Sequence, residues 1–173
     1  MDISFLDEIQ AAWNAHREKV RQAGNGVAHA EGRILFEGAL LLLSARLQSH
    51  VEEIFISSVK IKFLHIKTQG QLDQYWKQMV GNWGNPNHDN INKLFLRVGI
   101  FNLLEDYRCP NKTEKETREN LDKFNQARNR IAHGKSITDI KGIGLTQGGI
   151  WQVATFVREF GQGLEAHVNH RIQ

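Results

Sequence analysis

Apolar residues recur at steps of three and four positions along most of the chain, the spacing that is typical of amphipathic α-helices. Gly24 and Gly26 end the first of these segments. Its apolar positions are Phe5, Ile9, Ala12, Trp13, His16 and Val20. No internal repeat, low-complexity tract or clear domain boundary interrupts the chain. The pattern therefore predicts one helical domain that spans residues 1–173.

The second apolar segment contains no proline from Ala28 to Lys62 and predicts one long helix. From Leu40 to Leu43 this helix is apolar on every side, so we expect that stretch to be buried. Gly70 breaks the periodic pattern, and a short helix is predicted from Leu72 to Val80.

The next stretch, residues 81–89, consists mainly of residue types that favour turns. Asn85 or Asn87 can cap the helix that follows, which is predicted to run through Ile91 to Gly99.

A further helix begins at the capping-box sequence Thr113-x-x-Glu116, in which both side chains satisfy backbone N–H groups of the first turn. It is predicted to run to His133, with Gly134 as its stop.

Residues 135–149 are rich in glycine and are predicted to form a long loop. A last helix follows, and its apolar side carries Trp151, Val153, Phe156, Val157, Phe160, Leu164 and Val168. Together the segments predict an all-α fold, a helical bundle with a glycine-rich loop before its C-terminal helix.

Composition adds few constraints on function. The net charge of +3 is compatible with a polyanionic partner but is too small to indicate one. Cys109 is the only cysteine, which favours a cytosolic protein over a secreted one. The acidic stretch Met1–Glu8 does not resemble a signal peptide, and the longest apolar run, Gly38 to Leu43, is far shorter than the ~20 residues of a membrane span. We therefore expect a cytoplasmic protein without a membrane partner.

The helix that ends at His133 has one charged residue on its apolar side. On a helical wheel with Leu121 at zero, Phe124 lies at about 300° and Ile131 at about 280°. Arg128 falls at about 340°, where an apolar residue is expected, whereas Arg130 lies near 180° and is predicted to be solvated. A guanidinium in such a position requires an anion or hydrogen-bond acceptors, so either an internal carboxylate pairs with Arg128 or a bound anion does.

Asn125, Asn129 and His133 follow each other at four-residue steps and form a polar ridge beside the apolar side. Histidine titrates near neutral pH, as acid–base catalysis requires. Arg128 and His133 are about 140° apart on the helix, so one copy does not direct both at a single point. If the pair is catalytic, a two-fold dimer can bring both copies together. The alternative is that the helix dipole alone favours basic residues near this end.

The hexapeptide Arg128-Asn129-Arg130-Ile131-Ala132-His133 resembles the signature of the HEPN superfamily, an arginine and a polar residue followed after three positions by histidine. The similarity extends to the apolar helix Leu40–Phe55, to Asn85-Pro86-Asn87, to residues 91–95 and to Gly99-Ile100. The chain most resembles the prokaryotic group called RiboL-PSP-HEPN or its close nuclease-like relatives.

The resemblance implies a helical bundle that dimerises through its motif helices, and a metal-independent endoribonuclease that needs no cofactor. By position, His133 would act as general acid or base, Arg128 would stabilise the phosphorane, and Asn129 would orient one of them or bind phosphate. The implied products are a 2′,3′-cyclic phosphate and a 5′-hydroxyl. The implied partners are an RNA substrate, a second copy of the chain, and an antitoxin or a defence-system protein.

Two positions depart from the family pattern. Lys135 stands where some members carry a tyrosine that a partner enzyme modifies with AMP, so silencing by that route is not expected. Gln48 stands where a glutamate is common, although Glu52 and Glu53 lie one turn later. The alternative to an enzyme is a non-catalytic HEPN dimer that serves as a scaffold for a protein, a nucleotide or RNA.

Overall fold

The computed structural model describes residues 3–23, 28–63, 69–81, 83–137, 140, 143 and 147–172. Within these residues all regular secondary structure is helical and no strand is present. The prediction of an all-α fold is confirmed. The helices are α1 (Phe5–Ala23), α2 (Ala28–Lys62), α3 (Gln69–Val80), α4 (His88–Leu96), α5 (Glu114–Ala132) and α6 (Gln147–Ile172).

Helix α2 is the centre of the bundle, because it packs against each of the other five helices. Its buried side chains follow the helical spacing and include Phe36, Leu40, Leu43, Leu47, Val51, Phe55 and Val59. Leu41 and Leu42 are 37% and 50% exposed, so the prediction that residues 40–43 are buried all round is wrong for these two. The other described helices cover the side of α2 that carries Leu40 and Leu43. A side chain on the opposite side therefore faces solvent even when it is apolar.

Several helix ends differ by a few residues from the sequence prediction. Gly70 lies in the first turn of α3 and does not break the chain before it. Helix α4 ends at Leu96, and Gly99 follows in a turn with φ of +76°, a conformation that glycine adopts without strain. The predicted stops Gly24 and Gly26 lie outside the described residues.

Two predicted N-caps are confirmed. The side chain of Asn87 accepts a hydrogen bond from Asn90 N and begins α4. At α5, Thr113 accepts from the N–H of Glu116, and the Glu116 carboxylate accepts from the N–H of Thr113 at 2.8 Å. These contacts fix where the two helices nearest the predicted site begin.

The predicted loop 135–149 is shorter than expected because α6 begins at Gln147, so Gly148 and Gly149 are helical. Its described part contains three buried isoleucines, Ile137, Ile140 and Ile143, which anchor this segment to the core. None of the described helices has both the length and the apolar character required to cross a membrane.

Candidate functional site

The C-terminal end of α5 has the geometry of a Schellman motif. Gly134 has φ of +64°, and its N–H donates to Ile131 O at 2.9 Å. The N–H of Lys135 donates to Arg130 O at 2.7 Å. The predicted stop at Gly134 is confirmed, and the C-cap residue His133 is exposed at the carbonyl end of the helix.

Arg128 lies just over one turn before His133 and is half-buried. Its Nη1 donates to Oδ1 of Asn129 at 3.2 Å. In the part of the chain that the structure describes, no carboxylate forms an ion pair with Arg128. The alternative that an internal carboxylate neutralises Arg128 therefore has no candidate residue there. Because a guanidinium carries several N–H donors, most of those on Arg128 remain available to an anion.

The side chain of Asn129 connects α5 to the turn before α4. Its Oδ1 accepts a second hydrogen bond, from Nδ2 of Asn85 at 2.8 Å. Both lone pairs of this oxygen are therefore engaged, one by the turn and one by Arg128.

Asn125 makes a second connection between α5 and the same turn. It is 5% exposed, and its Nδ2 donates to Pro86 O at 3.1 Å and to Leu121 O at 2.9 Å. Its Oδ1 is buried and has no hydrogen-bond partner among the described residues. Asn125 and Asn129 thus hold the Asn85–Pro86 segment against α5 from two successive turns.

The turn itself is ordered by its own asparagines. Asn90 Nδ2 donates to Asn85 O at 2.9 Å, and the N–H of Asn87 donates to the same oxygen at 2.8 Å. Gly84 has φ of +82°, and a Cβ at this position would lie 3.0 Å from Asn90 Nδ2. These contacts give the Asn85 side chain a defined position.

A cleft of about 390 Å³ lies where the turn meets the end of α5. The three residues of the predicted polar ridge, Asn125, Asn129 and His133, all line it. The remaining lining residues are Asn87, Asp122, Gln126, Arg130 and Lys135. Arg130 and Lys135 contribute two positive charges and Asp122 contributes one negative charge. The cleft therefore has a net positive charge, which favours an anionic ligand.

Arg128 does not line this cleft. This agrees with the predicted divergence of Arg128 and His133. Asn129 links the two, because it accepts a hydrogen bond from Arg128 and lines the cleft with His133.

Arg130 is not fully solvated, contrary to the prediction from the helical wheel. It is half-buried, and its Nη1 donates to Ser136 O at 3.2 Å. The chain turns back after Gly134, so residues that follow the helix cover a side that the wheel leaves open. Arg130 thereby stabilises the segment that carries Lys135 into the cleft.

The carboxylates of α2 do not supply a partner for the site in the described residues. Glu52 accepts hydrogen bonds from Trp83 Nε1 at 2.9 Å and from Gln48 Nε2 at 3.2 Å. Glu53 lies 3.7 Å from Nδ1 of His50. The position that Gln48 occupies therefore belongs to a structural contact between α2 and the turn before α4.

Other chemistry-bearing residues are engaged elsewhere. Cys109 is 1% exposed, and burial raises the pKa of its thiol, which disfavours the reactive thiolate. His167 Nε2 lies 2.9 Å from Leu103 O. Across the described ranges, no group of three or more histidine, cysteine, aspartate or glutamate side chains is arranged to hold a metal ion.

Sequence reasoning identified Asn85 as a possible helix cap but did not place it at the site. The signal available was indirect, namely a turn rich in asparagine within the segments that resemble the family. Only the folded chain shows that the Asn85 side chain contacts Asn129, 44 positions away.

The family model for RiboL-PSP-HEPN matches residues 19–170 of the chain. The comparisons with curated proteins and with solved structures gave no significant match. HEPN domains are in general nucleases that commonly dimerise and bind RNA. Because the match covers nearly the whole chain and the helical fold agrees with it, this protein belongs to the RiboL-PSP-HEPN family.

Proposed function

We propose that this protein is an endoribonuclease that cleaves RNA without a metal ion, as a homodimer that uses Arg128, Asn129 and His133. The observation that carries the proposal is the state of Arg128. Arg128 is half-buried, its guanidinium has no carboxylate partner among the described residues, and it donates to Asn129, a residue of the cleft that His133 lines. Such a group is ready to bind a phosphate.

The reaction requires only proton transfer and charge stabilisation. The ribose 2′-oxygen forms a bond to the adjacent phosphorus while the bond from phosphorus to the 5′-oxygen breaks. A base takes the proton of the 2′-hydroxyl, and an acid gives a proton to the departing 5′-oxygen. His133 fills one of these roles in each copy, neutral as the base or protonated as the acid. Arg128 stabilises the additional negative charge on the phosphorane.

The dimer follows from the divergence of the two side chains. One copy presents His133 and Asn129 in the cleft but directs Arg128 elsewhere. An isologous contact near the two-fold axis places Arg128 of one copy beside the cleft of the other. Cleavage should therefore require the dimer, and the specific activity should fall when the protein is diluted until it dissociates.

We further propose that the activity belongs to a toxin or anti-phage defence setting. Lys135 stands where some relatives carry a tyrosine that is modified with AMP, so silencing by attachment of AMP to that position is not expected.

The test is cleavage of a set of labelled RNAs in excess EDTA by wild type, Arg128→Ala and His133→Ala. We expect losses of ~10²–10³-fold for the arginine and ~10²–10⁴-fold for the histidine, the range for one oxyanion donor and one proton-transfer group. The products should carry 2′,3′-cyclic phosphate and 5′-hydroxyl ends, and a 2′-deoxy substitution at the cleaved position should stop the reaction.

Two matched variants serve as controls. Arg118→Ala removes an exposed arginine from the same helix, and His170→Ala removes an exposed histidine near the end of α6. Neither change should affect the rate. If both site variants cleave at the wild-type rate, the site assignment is wrong. RNA that binds at Arg128 without being cut by wild type would instead indicate a non-catalytic scaffold.

A further inference from the structure

The orientation of the Asn129 carboxamide is fixed by its neighbours. Its Oδ1 accepts hydrogen bonds from Asn85 Nδ2 at 2.8 Å and from Arg128 Nη1 at 3.2 Å. If the amide rotated by half a turn, its NH₂ group would face two other donors, and both hydrogen bonds would be lost. The oxygen is therefore committed to the protein, and the two N–H groups are the end available to a ligand in the cleft.

We propose that Asn85 is a positioning residue of the site, which acts by holding Asn129 as a hydrogen-bond donor to the phosphate of the RNA. This inference rests on the proposed function. Asn85 is not among the residues that line the cleft. Its effect passes through Asn129, which it orients, and through Arg128, which shares the same oxygen.

The surroundings of Asn85 support this role over that of a simple surface contact. Asn90 Nδ2 and the N–H of Asn87 both hold the carbonyl of Asn85, and Asn125 Nδ2 holds the next carbonyl, that of Pro86. The backbone that directly follows the Asn85 side chain is thus fixed to α4 and α5. A hydrogen-bond donor with little conformational freedom orients its acceptor more effectively than a mobile side chain does.

The first test is a double-mutant cycle on cleavage. Asn129→Ala removes the donor and should slow kcat by ~10²-fold, and Asn85→Ala, which only releases its orientation, should slow kcat by about tenfold. The double variant should be no slower than Asn129→Ala alone, because Asn85 then has no side chain to orient. Losses that multiply in the double variant would show that Asn85 acts independently and would overturn the proposal.

The second test uses the protonation of an introduced carboxyl. In Asn85→Asp, the ionised carboxylate cannot donate to Asn129 Oδ1, and it favours the rotated amide. A protonated carboxyl can donate again. The rate of Asn85→Asp relative to wild type should therefore rise as the pH falls through the carboxyl pKa, near 4. A ratio that is constant with pH would contradict a positioning role.

Asn14→Asp is the matched control, because it makes the same change on α1, where the amide oxygen accepts a hydrogen bond from Gln10 of the same helix. Its rate relative to wild type should be independent of pH.

A third measurement separates this inference from the proposed function. A 2′-deoxy oligonucleotide binds without being cut, and its titration can be followed at the side-chain amide signals of Asn129 by NMR. These signals should shift on binding in wild type and shift much less in Asn85→Ala at equal saturation. If wild type cleaves no RNA but this difference is seen, the positioning role stands and catalysis fails. Equal shifts in both proteins, or none in wild type, would overturn the positioning role.

Discussion

The contact between Gly163 and Tyr107 gives the sharpest prediction about packing. Gly163 lies within α6, and a Cβ at this position would be 2.5 Å from the Tyr107 hydroxyl. That hydroxyl donates to Phe160 O at 2.8 Å, and burial raises the pKa of the phenol, so it remains a donor. In Gly163→Ala the new methyl group cannot coexist with this hydrogen bond, and Tyr107 must move.

The magnitude follows from three opposing effects. Overpacking of a buried site costs about 1–3 kcal/mol. A buried hydroxyl that loses its acceptor costs about 1–3 kcal/mol more. Replacing glycine by alanine within a helix returns about 1 kcal/mol. The net expectation for Gly163→Ala is a loss of about 3 kcal/mol in the free energy of unfolding.

The assay is urea unfolding, with Gly38→Ala as the matched control. Gly38 lies within α2, and a Cβ there would meet nothing within 4 Å, so this variant should be as stable as wild type or about 1 kcal/mol more stable. In a Tyr107→Phe background the nearest ring atoms are 3.4 Å from the new methyl group, so Gly163→Ala should then cost little. Equal effects of the two glycine substitutions, or no relief by Tyr107→Phe, would refute the reasoning.

Two further predictions concern the elements that frame the site. Asn125→Ala should lower the free energy of unfolding by about 2 kcal/mol, because Pro86 O loses its donor. Hydrogen exchange in the turn before α4 should also accelerate. The control Asn120→Ala, which changes a half-exposed asparagine, should neither destabilise the fold nor accelerate this exchange. The hydrogen bonds from Thr113 hold the pKa of Glu116 below its ordinary value of 4.5. Because the folded pKa is the lower one, the contribution of this carboxylate to stability is complete above pH 4.5 and is lost as the pH falls through the folded value. In Glu116→Gln, the free energy of unfolding should lack this contribution to its pH dependence. Identical pH slopes of the free energy of unfolding for wild type and Glu116→Gln would contradict the role of the carboxylate.

The helices could be predicted from the sequence because their signals are local. The periodicity of apolar residues, the capping box at Thr113 and the stop at Gly134 all act within one or two turns, and each is found where it was expected. The errors have tertiary causes. Leu41 and Leu42 are exposed because none of the described helices covers that side of α2, and Arg130 is partly covered because the chain turns back over it.

The sequence by itself determined the all-α fold, the end of α5 at His133 and the unusual place of Arg128 on an apolar side, since these depend on spacing along one helix. Only the tertiary structure decided what surrounds them. The bonds from Asn125 and Asn129 to the turn at Asn85 join residues about 40 positions apart, and no periodic pattern relates such positions. Their physical cause is the packing of α4 against α5. This packing places the turn before α4, whose amide and carbonyl groups have no partners within a helix, beside polar side chains of α5 that can form hydrogen bonds with them.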